Sequence, residues 1–422
     1  MLNTLKQNIR NLSPKFLIRL YHYLVTLIVA IIYRFPSREI YVIGITGTKG
    51  KSSTTELVNA ILEEAGYSTA LASTIRFKIG SDSQPNKLKM TMAGRGFLHK
   101  FLRQAINKGC THAIVEMTSE GTLLYRHSFI DLDALIFTNL SPEHIESHGS
   151  YEKYVQAKLK IRDQLLKSKK KTSVIVVNSD DQESQRFLDA PIAHKLTFSL
   201  AQAGTLDNQP SGTSFSFKNT TIHTSLPGIF NVYNILGAAT LADYLGVSPE
   251  TIKQAISKFT GIPGRMDKVT IESTAPYPTI IVDYAHTTDS LTKAYEACGN
   301  TKLICVLGGT GGGRDKWKRP HMGEIADNYC HHIILTDEDP YDEDPKQIVN
   351  DIRTGIKNKP VEIIMDRRQA IGRAIDLATP TDTIIITGKG TDPYIMGPHG
   401  TKVVWSDKQV ATEELYARIT RS

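Results

Sequence analysis

Cysteine is scarce in this chain and scattered where it occurs. The 422 residues contain four, Cys110, Cys298, Cys305 and Cys330, with no Cys-x-x-Cys pair among them. That spacing excludes a disulfide framework and a four-cysteine zinc insertion, and it reads as reduced, mostly buried thiols in a reducing compartment. Acidic residues are absent from the first 38 positions, which hold Lys6, Arg10, Lys15, Arg19, Arg34 and Arg38. The rest of the chain carries 44 basic and 43 acidic side chains, so the net charge of +7 belongs to the N-terminal segment. The body therefore lacks the basic face that a nucleic-acid partner requires. A long clean apolar run is missing as well. Residues 14–33 would make a helix about 30 Å long, but Arg19 and His22 leave about 14 uninterrupted apolar residues, short of a full span. No small-residue cleavage site follows, which argues against a removed signal peptide. Internal repeats and low-complexity tracts are also lacking.

What is present is an ordinary globular composition, 40% hydrophobic and 22% charged, in a chain long enough for two or three domains. Ser13-Pro14 is a good helix start and Phe35-Pro36 a stop. The helix between them reads either as a membrane-surface element or as one buried against the body or a dimer partner. After Arg38, short apolar strands alternate with amphipathic helices, which predicts an α/β architecture with parallel sheets. The first series of strands falls at residues 40–45, 113–115, 134–137 and 174–177. Residues 192–226 read as a β-hairpin insertion, and residues 226–246 return to helix. A second series falls at 279–282, 303–307, 333–335, 361–365 and 383–386, after a candidate hinge at Gly261-Ile262-Pro263-Gly264. Most of these strands end in polar residues or glycine, and open parallel sheets bind ligands beyond their strands' carboxyl ends.

The first strand runs into Thr46-Gly47-Thr48-Lys49-Gly50-Lys51-Ser52-Ser53 and then a helix. Glycines let backbone N–H groups approach phosphate oxygens, the helix N-terminus favours anions, Lys51 adds charge and Ser52 offers a hydroxyl to Mg²⁺. The usual spacing would place glycine where Ile45 stands, so the loop is a variant. A glycine turn before a helix can be purely structural; the flanking strand and Gly-Lys-Ser favour phosphate binding.

This loop resembles that of the Mur ligases, the ATP-dependent enzymes that build the peptide stem of peptidoglycan. Further stretches resemble the family in order: Glu116-Met117-Thr118-Ser119, Thr138-Asn139-Leu140-Ser141-Pro142-Glu143-His144, Tyr154-Val155-Gln156-Ala157-Lys158, Phe230-Asn231-Val232-Tyr233-Asn234 and Gly264-Arg265-Met266. Asp283-Tyr284-Ala285-His286-Thr287, the Arg314–Pro320 stretch, Thr336-Asp337-Glu338-Asp339-Pro340 and Gly388-Lys389-Gly390-Thr391-Asp392 are similar to the branch that adds the third residue to a muramoyl-dipeptide. The resemblance implies an N-terminal helix at 1–38, a P-loop-type central ATPase domain with a parallel sheet at 39–260, and a Rossmann-like ligase domain at 261–422. It implies an amide ligase using ATP, with two Mg²⁺ sites in the cytoplasm or at the membrane's inner face.

By that resemblance Lys51, Glu116, His144 and Lys158 are catalytic, with Ser52 and Glu116 at one metal and His144 and Lys158 at a second. A neutral amine is costly at Lys158 in this reading, so carbamylation would give it a carboxylate. Residues 47–53 with Asn231, Arg265, Asp283 and His286 would hold ATP; Thr91, Ser119 and Arg126 would touch the muramoyl-peptide donor. Asp339, Tyr341, Gly388 and Asp392 would meet the amino acid acceptor. Taken without the resemblance, Lys158 reads as a solvated helix lysine, His144 as a capping or core histidine, Asn231 and Asn234 as helix caps, and Asp283 as a turn residue.

Two departures stand out. Relatives carry an N-terminal domain that grips UDP, whereas about 38 residues precede the loop-bearing core here, so a UDP-linked and a lipid-linked donor both stay open. Diaminopimelate-adding enzymes show Asp-Asn-Pro-Arg where this chain has Glu338-Asp339-Pro340-Tyr341. Tyrosine cannot supply the charged guanidinium fork. With Asp339, Asp342, Glu343, Asp344 and Asp392 nearby, the expectation is an acceptor with a cationic end, such as lysine; a solvated helix N-terminus would equally explain residues 342–344. A ligase of folylpolyglutamate or polyglutamate type, and a catalytically silent ATP-binding scaffold, are the alternatives.

Overall fold

In the computed structural model the described residues are 15–421 apart from 89, 95, 144–147 and 171. The first half is an eight-stranded sheet of β1 (Tyr41–Thr46), β2 (Thr69–Ala72), β3 (Arg76–Ile79), β4 (Asp82–Pro85), β5 (His112–Glu116), β6 (Ala134–Phe137), β7 (Val174–Asn178) and β8 (His194–Phe198). Their order is β4-β3-β2-β5-β1-β6-β7-β8. All neighbours pair parallel except β2–β3 and β3–β4, which turn the far edge antiparallel. The sheet is buried on both faces. Val42 points into one cluster with the helices Phe97–Asn107 and Tyr151–Leu166, and Ile43 and Ile45 into another with Lys51–Glu64 and Ile229–Tyr244. Two-sided burial is why β1 and β6 read as continuous apolar runs.

The segment expected to be one hairpin does two things. Residues 194–198 form the edge strand of the main sheet, with β9 (Asp207–Gln209), β10 (Gly212–Phe217) and β11 (Thr220–Thr224) following as a separate three-stranded antiparallel sheet. The pattern misled because His194–Phe198 is mostly exposed, with Leu196 half-buried and Phe198 buried, as suits an edge strand.

The second half is a six-stranded sheet of β12 (Asp267–Val269), β13 (Thr279–Val282), β14 (Leu303–Leu307), β15 (His332–Leu335), β16 (Val361–Ile363) and β17 (Thr383–Ile386) in the order β12-β13-β17-β14-β15-β16. Only β12 runs antiparallel to its neighbour. Helices again cover both faces. Their starts are written locally: Thr287, Asp344 and Asp366 each accept a backbone N–H two or three residues on.

Ahead of the first sheet lies the helix Lys15–Ile32. It ends where Arg34 and Phe35 take left-handed conformations, φ 56° and 47°, and Arg103 donates to the Tyr33 carbonyl at 2.9 Å. The Ser13-Pro14 start lies outside the described residues. No helix among the described residues is long and apolar enough to cross a membrane.

Candidate functional site

Strand β1 delivers the loop of residues 47–50 to the helix Lys51–Glu64, and two of its glycines are obligatory. Gly47 has φ 153° and Gly50 φ 79°; a Cβ would overlap the Thr138 hydroxyl at the first and the Asn234 amide oxygen at the second. The loop is pinned from the end of β6: Thr48 N–H donates to the Asn139 carbonyl at 2.7 Å, Lys49 N–H to Asn139 Oδ1 at 2.9 Å, and the Thr138 hydroxyl to the Lys49 carbonyl at 2.7 Å. Thr48 and Tyr154 share a hydroxyl–hydroxyl bond of 2.9 Å.

Two lysines converge beneath this loop. Lys51 Nζ donates to the Thr48 carbonyl at 2.8 Å and Lys158 Nζ to the Gly47 carbonyl at 2.7 Å. Burial depresses the pKa of both, and for Lys158 the neighbouring Lys51 charge adds to the effect. Burial thus shifts Lys158 towards the neutral amine that looks costly from sequence alone. Nor is Lys158 a solvated helix lysine, since it is only 2% exposed.

At the end of β5, Glu116 collects hydroxyls and an amide. Its Oε2 accepts from Ser52 Oγ at 3.0 Å, from Thr74 N at 2.8 Å and from Thr74 Oγ1 at 3.0 Å, while Thr74 and Thr91 share a 2.6 Å hydroxyl contact. A carboxylate ringed by hydroxyls at the head of a phosphate loop is a hard oxygen donor set of the kind Mg²⁺ prefers. Thr74 was invisible in the sequence. It follows β2, whose Thr69–Ala72 composition carries little strand signal.

The opposite wall comes from the second sheet. Asp283, at the end of β13, accepts from Met266 N and Ala285 N, both at 2.7 Å, and burial raises its pKa. It therefore shapes the turn at this corner, as the bland reading allowed, while still lining the cleft. Arg265 lies over the Tyr284 ring at 4.2 Å. His286 Nε2 approaches Glu143 at 3.6 Å, Glu143 pairs with Lys49 at 3.0 Å, and burial brings the His286 pKa down to about 4. These contacts join the two halves across the phosphate loop. Gly264 tightens the same corner, because a Cβ there would overlap the backbone of Gly390 and Thr391.

Around the acceptor candidates the acids are largely committed. Asp339 pairs with buried Lys389 at 2.8 Å and accepts from Met396 N at 2.7 Å. Asp342 accepts from His399 N, Glu343 pairs with Arg319 and Lys316, and Asp344 caps the helix Pro345–Arg353. The expected acidic surface thus shrinks, since residues 342–344 serve local structure. In their place the structure offers Glu338, which sequence reasoning passed over. It is 2% exposed, its Oε1 accepts from the Thr310 hydroxyl at 2.8 Å, its Oε2 has no partner, and burial raises its pKa. Tyr341 sits at φ 52° with its ring against Gly312.

One cleft of about 1030 Å³ gathers most of these groups. On its walls are residues 48–53, Thr91, Glu116, Arg126, Arg265, Asp283 and His286, together with Asp339, Tyr341, Gly388 and Asp392. Four expected residues lie off its surface. Gly47, in the loop itself, and Lys158, bonded to its carbonyl, do not line the cleft. Ser119 is buried at the start of the helix Ser119–Leu123, and its neighbours Thr118 and Glu120 face the cleft instead. Asn231 donates to the Pro227 carbonyl at 2.8 Å and accepts from Asn234, and Ile229, Phe230, Tyr233 and Asn234 line the cleft from that helix instead. His144 lies outside the described residues.

Comparison with known proteins agrees with this arrangement. Residues 45–242 match the Mur ligase middle domain and residues 264–390 the Mur ligase glutamate ligase domain. The chain is 36% identical over 399 residues to the UDP-N-acetylmuramoyl-L-alanyl-D-glutamate–2,6-diaminopimelate ligase of Caldanaerobacter subterraneus, covering 91% of this chain and 80% of that one. It is 37% identical over 376 residues to the ligase of the same name from Bacillus velezensis, covering 86% and 76%. A solved structure of a ligase with that name superposes with a TM-score of 0.61 at 27% identity, over 90% of this chain and 79% of the other. Mycobacterium tuberculosis folylpolyglutamate synthase shares the fold, with a TM-score of 0.68 at 15% identity over 88% and 93% of the two chains.

Proposed function

The chain belongs to the Mur ligase family, an ATP-dependent amide ligase in peptidoglycan synthesis that works with ATP and Mg²⁺, and from that premise we propose how its own residues divide the work. The donor is a muramoyl-peptide carboxylate, and the acceptor is an amino acid with a cationic side chain. A donor carboxylate oxygen attacks the γ-phosphorus of ATP, giving an acyl phosphate and ADP. The acceptor amine then attacks the acyl carbon, phosphate leaves, and the amine gives up a proton as the amide forms. Both steps depend on positioning and charge compensation more than on covalent work by the protein.

One observation carries this reading: Glu116 accepts from Ser52 and Thr74 at the head of the phosphate loop whose carbonyls Lys51 and Lys158 bond. Ser52 and Glu116 would hold one Mg²⁺, which neutralises phosphate charge when bound. Lys51 would meet the γ-phosphate. Lys158, whose pKa burial depresses, would be set up to add carbon dioxide, forming an N–C bond and releasing a proton; the resulting carbamate would offer oxygen atoms to a second Mg²⁺ site shared with His144. Arg265, Asp283 and His286 would close over the nucleotide from the second half, with residues 39–260 and 261–422 moving about the corner at Gly264. Thr91 and Arg126 would face the donor. Glu338 and Asp392 would face the acceptor's cationic end, near Tyr341, where diaminopimelate-adding relatives place an arginine. Contact of residues 14–33 with the inner face of the membrane belongs to the same reading.

The test is phosphate release measured with muramoyl-dipeptide and a panel of amino acids. Release that needs both substrates, with lysine or ornithine preferred to diaminopimelate, is the expected result. Phosphate release that ignores the donor would sink the ligase reading, and a preference for diaminopimelate would sink the acceptor assignment.

A further inference from the structure

The helix Lys15–Ile32 packs the opposite way round from a helix resting on a protein core. Its inward face is Thr26 and Ala30, both buried, with Val29 pressed against Gly96, where any Cβ would overlap it. Its outward face is Leu17, Leu20, Leu24, Ile28, Ile31 and Ile32, each between 45% and 64% exposed. At 100° per residue these six side chains fall within an arc of about 120°, the width of a stripe that ordinarily faces a core. An apolar stripe of that size turned to solvent marks a binding surface.

Charge selects the occupant. The first 38 residues carry six basic side chains and no acid. Within and just after the helix, Arg19 and Arg34 are exposed. A second copy of the chain would bring two such segments together, and like charges oppose that pairing. An anionic lipid surface complements both features, taking the stripe into its acyl boundary and the cations among its headgroups. The helix is not long and apolar enough to cross a bilayer, which leaves lying upon it.

Position gives the surface a purpose. Tyr23 packs on Tyr125 and Phe129, with ring centroids 5.6 and 5.1 Å apart. The next residue, Arg126, bonds the Met92 carbonyl and lies on the cleft wall with Met90 and Thr91. We propose that the outward face of this helix seats the enzyme on an anionic bilayer, with the Thr91 and Arg126 end of the cleft beside that surface, so that the carboxylate donor is taken from a lipid carrier in the membrane. The anchor deepens the membrane part of the proposed function; its lipid-carrier clause rests on the ligase reading, while vesicle binding does not.

The experiment uses the full chain with phosphatidylcholine vesicles and with phosphatidylcholine–phosphatidylglycerol vesicles, followed by ligation of vesicle-borne and UDP-linked muramoyl-dipeptide. The wild type should float with the anionic vesicles, and salt should weaken the association. The double substitution Leu24→Gln, Ile28→Gln, at exposed positions, should cut binding by about ten-fold or more. The same variant should lose rate on the vesicle-borne donor and keep it on the UDP-linked one. Arg19→Gln with Arg34→Gln should lose the preference for anionic lipid. A chain that stays off both vesicles overturns the proposal, as does undiminished binding by the Leu24, Ile28 variant. A wild-type dimer that this variant splits also overturns it, because the stripe would then be covered by a second copy. Vesicle binding without any ligation would refute the ligase reading while supporting the anchor.

Discussion

The two walls of the cleft hold buried cations in opposite ways. On the first, Lys51 and Lys158 donate to backbone carbonyls, and among the described residues neither has an ion pair. On the second, Lys389 is neutralised by Asp339, and Arg367 by Asp407 through two bonds of 2.8 Å. A buried charge without a counter-ion is costly, and the depressed lysine pKa values express that cost. The first wall is therefore short of negative charge until an anion arrives, whereas most of the second wall's buried cations carry their own counter-ions. Function belongs to the less compensated wall and architecture to the more compensated one, with Glu338 and Lys318, whose ammonium donates to the His286 carbonyl at 3.0 Å, as the exceptions on the second wall.

The sharpest way to break this contrast is to remove a cation from each side. Lys51→Ala and Lys158→Ala should each lower kcat by about 10³-fold, roughly 4 kcal/mol of transition-state stabilisation, with little change in unfolding midpoint. Steady-state phosphate release and urea unfolding on the same preparations decide it. Large destabilisation by either substitution would mean that these lysines are structural after all. Arg367→Ala should behave the other way. It strands Asp407, which is fully buried and also bonded by Trp405 Nε1 at 2.7 Å, so stability should fall by about 3–4 kcal/mol. Any activity surviving at low temperature should show a normal KM for ATP.

The same contrast explains what could be read in advance. The phosphate loop, Glu116, four strands of the first sheet and five of the second were legible because local patterns encode them: glycines at positive φ, apolar runs, polar strand ends. Lys158 looked like a surface lysine because nothing local says that its helix buries it against Gly47. Thr74 and the Asp339–Lys389 pair were hidden for a related reason, since their roles rest on partners 42 and 50 residues away. The acidic cluster at 342–344 was over-read. Composition records the charges and not the helix cap, the His399 amide or the Arg319 guanidinium that use them.

Acid should weigh more on the first half, which holds two buried histidines of strongly lowered pKa against one described in the second, His286. His99 and His127 lie in the first half, both buried, each with one ring nitrogen lacking a partner, and burial lowers both pKa values to about 4. In the unfolded chain they titrate near 6.5, so between pH 6.5 and 4 the unfolded state holds more protons than the folded one. Stability is then fully present above about pH 6.5 and falls as the pH drops towards 4, by about 2 kcal/mol per histidine at pH 5. The helix Phe97–Asn107 and the loop that supports Tyr23 should open first. Hydrogen exchange followed from pH 7 to pH 5 would show it, and uniform protection loss across both halves would contradict it.

The smallest expected effect falls on the compensated wall, at Tyr341. An arginine at this position offers a planar charged fork to a second carboxylate, which a phenol cannot match. The backbone there is already left-handed and the ring already rests on Gly312, so the substitution brings a longer side chain into a fixed frame. Asp339 stays engaged with Lys389 and Met396, which holds the rest of the frame in place around it. Tyr341→Arg should therefore improve the ratio of kcat/KM for diaminopimelate over lysine by about ten-fold, near 1.4 kcal/mol, and leave the ATP dependence unchanged. If the ratio does not move, discrimination rests with Glu338 and Asp392, which on the proposed reading would meet the acceptor's ammonium and be indifferent to its second carboxylate.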